Sequence, residues 1–274
     1  MQVVQSIDSH RDEIGVRSAC HVDLVWRHVM RGPEMQLDKS FLRVITGELH
    51  PMGNLAIVSS PSDAAITQAA IGPLVDTDLP VALLYSRGAS DAIAQSLVGL
   101  GFQAAPMPAM AIDIERVATT SLPDGCAFLR VGVDESDEWA QAMADGFALP
   151  LGLARRFAPK VVGADMAPDA TTQFFAVVKD GRQVATTMLY LADGLAGIYC
   201  VATLPGERGK GLAAHLTAEA LRLAHRAGYR VGVLQSSPLG HPVYRRLGFE
   251  DVSTVPMFVR QGNRLSSSDR RAAS

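Results

Sequence analysis

Residues 196–213 read Ala-Gly-Ile-Tyr-Cys-Val-Ala-Thr-Leu-Pro-Gly-Glu-Arg-Gly-Lys-Gly-Leu-Ala, and the parsing of this run decides the fold. Ala196 to Val201 is a short apolar stretch with β-branched and aromatic members, the composition of a strand. Pro205 and Gly206 then turn the chain. From Leu212 onward the apolar positions Leu212, Leu216, Ala220, Leu223 and Ala227 lie three or four residues apart, one face of a helix. Glu219, Arg222 and Arg226 fall on other faces. Gly228 is the expected stop, because glycine adopts the left-handed cap conformation without a Cβ penalty. Arg208-Gly209-Lys210-Gly211-Leu212-Ala213 joins strand to helix. Backbone N–H groups at a helix start have no intrahelical partner and carry partial positive charge. Gly209 and Gly211 leave room for a bulky anion to reach them, so a phosphate or diphosphate is the natural guest. The loop is neither G-x-x-x-x-G-K-[ST] nor a G-x-G-x-x-G with an acidic residue beyond.

Outward from this core the pattern continues as alternating elements. Arg230 to Gln235 reads as the next strand, and residues 238 to 247 as a short helix. Gly248-Phe249 then turns into a final pair of strands ending near Arg260. Upstream, Cys126 to Val133 is a strand and Ser136 to Phe147 a helix whose acidic first turn suits the helix dipole. Phe174 to Val178 and Gln183 to Leu191 flank Asp180-Gly181, a tight hairpin turn. The order from Cys126 predicts an α+β fold: a mixed, mostly antiparallel sheet flanked by helices. The first part echoes it. Pro80 to Ser86, a helix, Leu100-Gly101-Phe102 and Pro106-Met107 match Arg230 to Ser236, a helix, Leu247-Gly248-Phe249 and Pro256-Met257. A repeat of this length means two domains of one fold in tandem. The expected division is a first domain over 1–120, a second over 125–262 and a disordered tail over 263–274, with the linker near Thr119 to Gly125.

Composition narrows the class. The 274 residues are 48% hydrophobic and 19% charged, enough apolar material for buried cores. A net charge of −3, with no long basic run in the folded part, argues against nucleic acid as a main partner. Cys20, Cys126 and Cys200 are too far apart in sequence to suggest a disulfide framework or a metal cluster, so no metal is expected. Met1 to Gly15 is polar, without the apolar segment of a signal peptide, and no apolar run reaches the roughly 18 residues of a membrane span. The expectation is a soluble cytoplasmic protein without a membrane partner.

The strand, the Arg208–Ala213 loop, the amphipathic helix, the next strand and then Pro242-Val243-Tyr244-Arg245-Arg246-Leu247-Gly248-Phe249 resemble the GCN5-related N-acetyltransferase (GNAT) family, from about Cys126 to Arg260. In that family a Q/R-x-x-G-x-G/A loop holds the diphosphate of acyl-CoA, and a Tyr precedes Leu-Gly-Phe on a later helix. The resemblance implies a tandem GNAT fold whose first domain, lacking a counterpart of the loop, has lost cofactor binding. It implies acetyl-CoA as cosubstrate and a small-molecule or peptide amine as acceptor, attacking directly in a ternary complex. Carried over, Val201, Ala202 and Thr203 offer backbone groups to the pantetheine arm and polarise the thioester carbonyl. Arg208, Gly209, Lys210, Gly211, Leu212 and Ala213 hold the diphosphate. Ser237 stands where many members have Asn, and its hydroxyl bonds the pantetheine. Tyr244 gives a proton to the departing thiolate. The family often places a Glu on the central strand as base, but residues 196–203 hold no acid.

Two other readings stay open: a non-catalytic acyl-CoA sensor or interaction module, and a nucleotide-binding protein. His215 and His225 read as surface or cap residues, His241 as a turn residue near the thioester, and Cys200 as packing rather than a ping-pong nucleophile. Thr46 to Asn54 reads as a hairpin turn that could alternatively line an acceptor pocket. Acceptor identity, acyl length and oligomeric state are not encoded in any motif.

Overall fold

The computed structural model describes residues 3–59 and 63–262; the expected tail lies outside them. Along the chain come α1 (Arg11–Val29), β1 (Met35–Leu37), β2 (Phe41–Ile45), β3 (Asn54–Val58), α2 (Ala64–Val75), β4 (Val81–Tyr85), α3 (Asp91–Gly99) and β5 (Gln103–Ala104). Then follow β6 (Met107–Asp113), β7 (Cys126–Val131), α4 (Ser136–Phe147), α5 (Leu151–Arg156), α6 (Pro159–Val162), β8 (Thr172–Lys179) and β9 (Arg182–Ala192). The chain ends with β10 (Leu195–Thr203), α7 (Leu212–Arg226), β11 (Val231–Gln235), α8 (His241–Leu247), β12 (Glu250–Val255) and β13 (Met257–Arg260).

Two mixed, mostly antiparallel sheets result, one in the order β1-β2-β3-β4-β13-β5 and the other β12-β6-β11-β10-β9-β8-β7. The expected final strand pair is therefore not a pair. β12 stays in the seven-stranded sheet, while β13 inserts between β4 and β5 of the other. β6 makes the reciprocal insertion between β11 and β12, pairing antiparallel with β11 from Asp113–Val231 to Ala109–Gln235. The duplicated Pro-Met sites mark both departures: Pro106 lies between β5 and β6, and Pro256 between β12 and β13. Proline has no N–H to give a ladder, so a strand readily ends there.

The compact units accordingly do not follow one cut. Among the described residues, one joins 3–21 with Pro108–Ser253, the other joins 22–107 with 254–262. The stretch expected as a linker, Thr119 to Gly125, runs inside the first of these units, where Leu122 packs against its core.

Local rules explain the elements that position the site. Asp180 and Gly181 both take positive φ, 50° and 73°, which the tight β8–β9 turn requires. Helix α7 ends in a Schellman pair, Gly228 N–H to His225 O at 3.0 Å and Tyr229 N–H to Ala224 O at 3.1 Å. Its buried side is wider than the sequence stripe, taking in Thr217, Leu221 and Ala224 and leaving Leu223 and Ala227 only half-buried. Trp139 of α4 is fully buried against Phe174 and donates its indole N–H to Phe175 O at 3.1 Å, which fixes α4 on one face of the seven-stranded sheet.

In the unit containing β4, Phe258 of β13 meets Tyr85 edge-on at 6.2 Å within a buried cluster that includes Phe102. Phe258→Ala leaves a cavity and is expected to destabilise this unit by about 3–5 kcal/mol. Native-state hydrogen exchange at β4 amides measures it; a loss under about 1 kcal/mol contradicts the assignment of β13 to this core.

Candidate active site

β10 and β11 run parallel but pair only at Ala196–Gly232 and Gly197–Val233. Beyond those positions β10 continues to Thr203 and β11 to Gln235, each keeping its other neighbour. A bulge enforces the separation: the register against β9 shifts between Tyr199 and Ala202, and Cys200 sits at φ 53°. Such bulges bend a strand and re-aim its groups. Side chains of β9 hold the bulge, since the Thr186 hydroxyl donates to Cys200 O at 2.9 Å and that of Thr187 to Tyr199 O at 3.3 Å. The edge of β10 over 198–203 is thus left without a strand partner on its β11 side, with backbone groups able to bind an extended chain.

The loop that follows opens toward the start of α7. Gly209 and Gly211 take φ 78° and 80°, and a Cβ at either would meet nothing within 4 Å. Gly211 is the N-cap, so no side chain caps α7. These are the features that a diphosphate needs: an uncapped helix start, free space before it and backbone N–H groups. The basic side chains are engaged elsewhere. The Arg208 guanidinium donates to Gly146 O at 2.8 Å and Thr203 O at 3.3 Å, bracing the loop against the end of α4. Lys210 bonds Glu207 at 2.8 Å and Gly206 O at 3.2 Å, and Lys179 also reaches Glu207 at 3.0 Å. Hydrogen bonding from Lys210 and then Lys179 holds the Glu207 carboxyl below its usual range. In this arrangement the Arg208 and Lys210 side chains are tied to protein partners, and the loop amides are what the helix start would present to an anion. Beside the loop a groove of about 500 Å³ is lined by Asp145, Lys179, Asp180, Arg182 and Glu207, a set whose charges largely cancel.

Tyr244, on α8, is buried and meets Phe249 edge-on at 5.7 Å. Its hydroxyl takes no hydrogen-bond partner among the described residues, and burial pushes its pKa well up, so the phenol stays protonated. Gly240 makes room for the ring, since a Cβ there would lie 3.0 Å from Tyr244 Cε2. Ser237 accepts from the Gly240 N–H at 3.1 Å and so shapes the turn ahead of α8, with its own proton free to donate. His241 bonds Asp251 at 2.8 Å, and His215 bonds Thr120 at 3.2 Å, both surface or edge contacts. Thr46 to Asn54 is a braced turn: the Asn54 amide donates to the Glu48, His50 and Pro80 carbonyls.

Two residues without an expected role stand beside the bulge. His21 of α1 is fully buried, with Nδ1 2.8 Å from the Tyr199 hydroxyl. Their sequence signal is slight. Ser18 and His21 interrupt an apolar stripe of Ile14, Val22 and Val25 that helical spacing would make a core face. Burial lowers the His21 pKa to about 4, raises that of Tyr199, and raises the Cys200 thiol to about 12.

The corresponding parallel pair in the other unit stays closed. β3 and β4 pair without interruption from Leu55–Ala82 to Val58–Tyr85. The start of α2 is already filled by a negative group, because the Asp63 carboxylate accepts from the Ala65 and Ile66 amides at 2.8 and 3.2 Å.

Two measurable consequences follow from the burial. Cys200, half-buried with its thiol pKa pushed up to about 12, should react with iodoacetamide at about pH 8 much more slowly than an exposed thiol, as read by peptide mass spectrometry; alkylation at an ordinary rate contradicts that shift. His21 is neutral when folded but takes up a proton when unfolded below its ordinary value of 6.5. Stability from this group is therefore complete above about pH 6.5 and lost as pH falls toward 4, by roughly 3 kcal/mol. Denaturant midpoints between these pH values should fall for the wild type and change less for His21→Asn; equal slopes place the acid sensitivity elsewhere.

Residues 141–249 match the acetyltransferase (GNAT) family. No curated protein matches the chain in sequence. Among solved structures, a GCN5-related N-acetyltransferase from Kribbella flavida is similar at TM-score 0.63 and 20% identity, over 93% of this chain and 98% of that one. A GCN5-related N-acetyltransferase from Sphaerobacter thermophilus is similar at TM-score 0.61 and 16% identity, over 94% of each chain. A tandem GNAT protein from the clavulanic acid biosynthesis pathway is similar at TM-score 0.52 and 18% identity, over 88% of each chain. Among the described residues no helix is long and apolar enough to cross a membrane. Residues 141–249 thus match the GNAT family, and both parts of the chain share the fold of GNAT proteins.

Proposed function

We propose that the unit holding residues 108–253 transfers an acetyl group from acetyl-CoA to a primary amine by direct attack in a ternary complex. The observation that carries this reading is the stop in β10–β11 pairing at Gly197–Val233, immediately upstream of an uncapped helix start. An extended pantetheine arm fits the open edge, with Val201, Ala202 and Thr203 offering backbone groups and the Ser237 hydroxyl a side-chain bond. The diphosphate fits the amides of the Arg208–Ala213 loop, with Gly209 and Gly211 leaving the approach clear.

The amine nitrogen attacks the thioester carbon. An N–H among Val201, Ala202 and Thr203 meets the charge that develops on the carbonyl oxygen, a contribution worth about 3–4 kcal/mol in acyl transfer. The carbon–sulfur bond breaks, and Tyr244, kept protonated by burial, supplies a proton to the thiolate. The GNAT-like fold in the first part is proposed not to bind the cosubstrate, because its parallel pair is closed and Asp63 occupies its helix start. A sensor that binds acyl-CoA without transfer is the second reading, favoured by the lack of any carboxylate on β10.

Calorimetry with acetyl-CoA and thiol release with a panel of amines test the proposal together. Folded wild type should bind acetyl-CoA and release thiol with at least one amine. Tyr244→Phe should slow turnover about a hundredfold while leaving acetyl-CoA affinity within about twofold. Unchanged turnover removes Tyr244 from the reaction, binding without release favours the sensor, and no binding overturns the assignment.

A further inference from the structure

Resting on the acyl-transfer reading above, we infer that Tyr199 and His21 form the relay that takes the proton from the attacking amine. A strand presents alternate residues to opposite faces of its sheet. On β10, Ala196 and Ile198 pack with the α7 cluster, whereas Leu195 packs with Ile7 and Ile14. Gly197 and Tyr199 share the face of Leu195, and His21 lies over them. Its ring stacks on Tyr199 with 3° between the planes and a centroid separation of 5.9 Å. A Cβ on Gly197 would come within 2.5 Å of His21 Cε1 and 2.6 Å of Tyr199 Cε2. Both contacts are impossible, so the missing side chain at 197 is what lets the pair sit against the strand.

The other imidazole nitrogen sets the direction of the hydrogen bond. His21 Nε2 lies 3.3 Å from the carbonyl oxygen of Ala192, which can only accept. Nε2 therefore carries the proton and Nδ1 is bare. The Tyr199 hydroxyl must donate to Nδ1, and its oxygen keeps lone pairs for a further donor. Tyr199 is the second residue past the last β10–β11 pair and directly precedes the bulge, so it is anchored where the strands part. It retains partial exposure, while His21 has none. Around the pair stand the Tyr190 ring at 5.3 Å from His21 and the Asp193–Arg17 ion pair at 3.0 Å. Burial holds the imidazole neutral at physiological pH, so Nδ1 is bare when the amine arrives and the imidazolium is a transient carrier rather than a resting state. Tyr244 packs with the α7 cluster on the opposite face, so the two proton transfers use separate sides of the sheet.

The step balances without a further reactant. Before attack the ammonium proton passes to the Tyr199 oxygen while the phenolic proton passes to His21 Nδ1; the neutral nitrogen then bonds to the thioester carbon and sheds its second proton to water. The carbon–sulfur electron pair leaves on sulfur, which takes the Tyr244 proton. His21 returns its proton to water through Tyr199, and Tyr244 regains one from water. Ammonium plus thioester become amide plus thiol plus one proton released to water.

Tyr199→Phe keeps the ring and the stack but removes the relay oxygen. Thiol release from acetyl-CoA is measured near pH 7 with the best acceptor from a panel of polyamines, aminoglycosides, amino acids and lysine peptides, and separately with hydroxylamine. The panel amines are protonated at that pH and need a base; hydroxylamine is neutral. The variant should lose at least about a hundredfold with the protonated amine, under about fivefold with hydroxylamine, and change acetyl-CoA affinity by no more than about twofold. His21→Gln should show the same selectivity in protein shown to be folded by circular dichroism, but Tyr199→Phe is the deciding variant. Equal losses with both amines, or wild-type rates, overturn the relay alone. Wild type that binds acetyl-CoA yet releases thiol with no amine overturns the transfer reading and the relay with it.

Discussion

One interruption governs the site: β10 and β11 stop pairing after Gly197–Val233. A parallel pair buried in a sheet would ordinarily continue, because each unmade backbone hydrogen bond in a dry interior is costly. Here the loss is offset locally. The bulge at Cys200 turns two carbonyls of β10 toward β9, and the Thr186 and Thr187 hydroxyls satisfy them. What remains unpaired lies on the edge that faces the opening. The same geometry sends the chain through Pro205 and Gly206 into a loop whose left-handed glycines deliver an uncapped α7 beside it. A closed ladder at these residues would leave the loop with no groove to serve.

The two sheets show what makes the difference. Each has a parallel pair, β3–β4 or β10–β11, and each receives its penultimate inner strand from the other part of the chain, after a proline. In the six-stranded sheet the pair is closed and the helix start is neutralised by Asp63. In the seven-stranded sheet the pair is open and the helix start is bare. Similar backbone plans thus differ in chemistry through a bulge, two glycines and one aspartate. Gly197 adds a further local requirement, because only its lack of a side chain admits the His21–Tyr199 stack beside the opening.

Much of this was legible in the sequence, and the exceptions have physical causes. The Asp180-Gly181 hairpin, the α4 boundaries and the Gly228 stop depend on contacts a few residues apart, so local patterns report them. The loop from Arg208 to Ala213 announces itself by its glycines. The exchange of β6 and β13 does not, because Pro106 and Pro256 read as ordinary turns, and nothing local says which sheet the next strand joins. The bracing of Arg208 on Gly146, across 62 residues, is equally hidden, as is Lys210 turned toward Glu207. His21 is the clearest case. It sits in a helix 178 residues before Tyr199, and only the fold brings the two rings together.

A crystal structure of the protein with acetyl-CoA tests the central claim most directly. Diphosphate oxygens should bond to backbone amides within 209–213, and the thioester oxygen should lie roughly 2.7–3.1 Å from an N–H among residues 201–203, in the gap between β10 and β11. Density for the diphosphate at any other surface, or a pantetheine arm lying outside that gap, would contradict it.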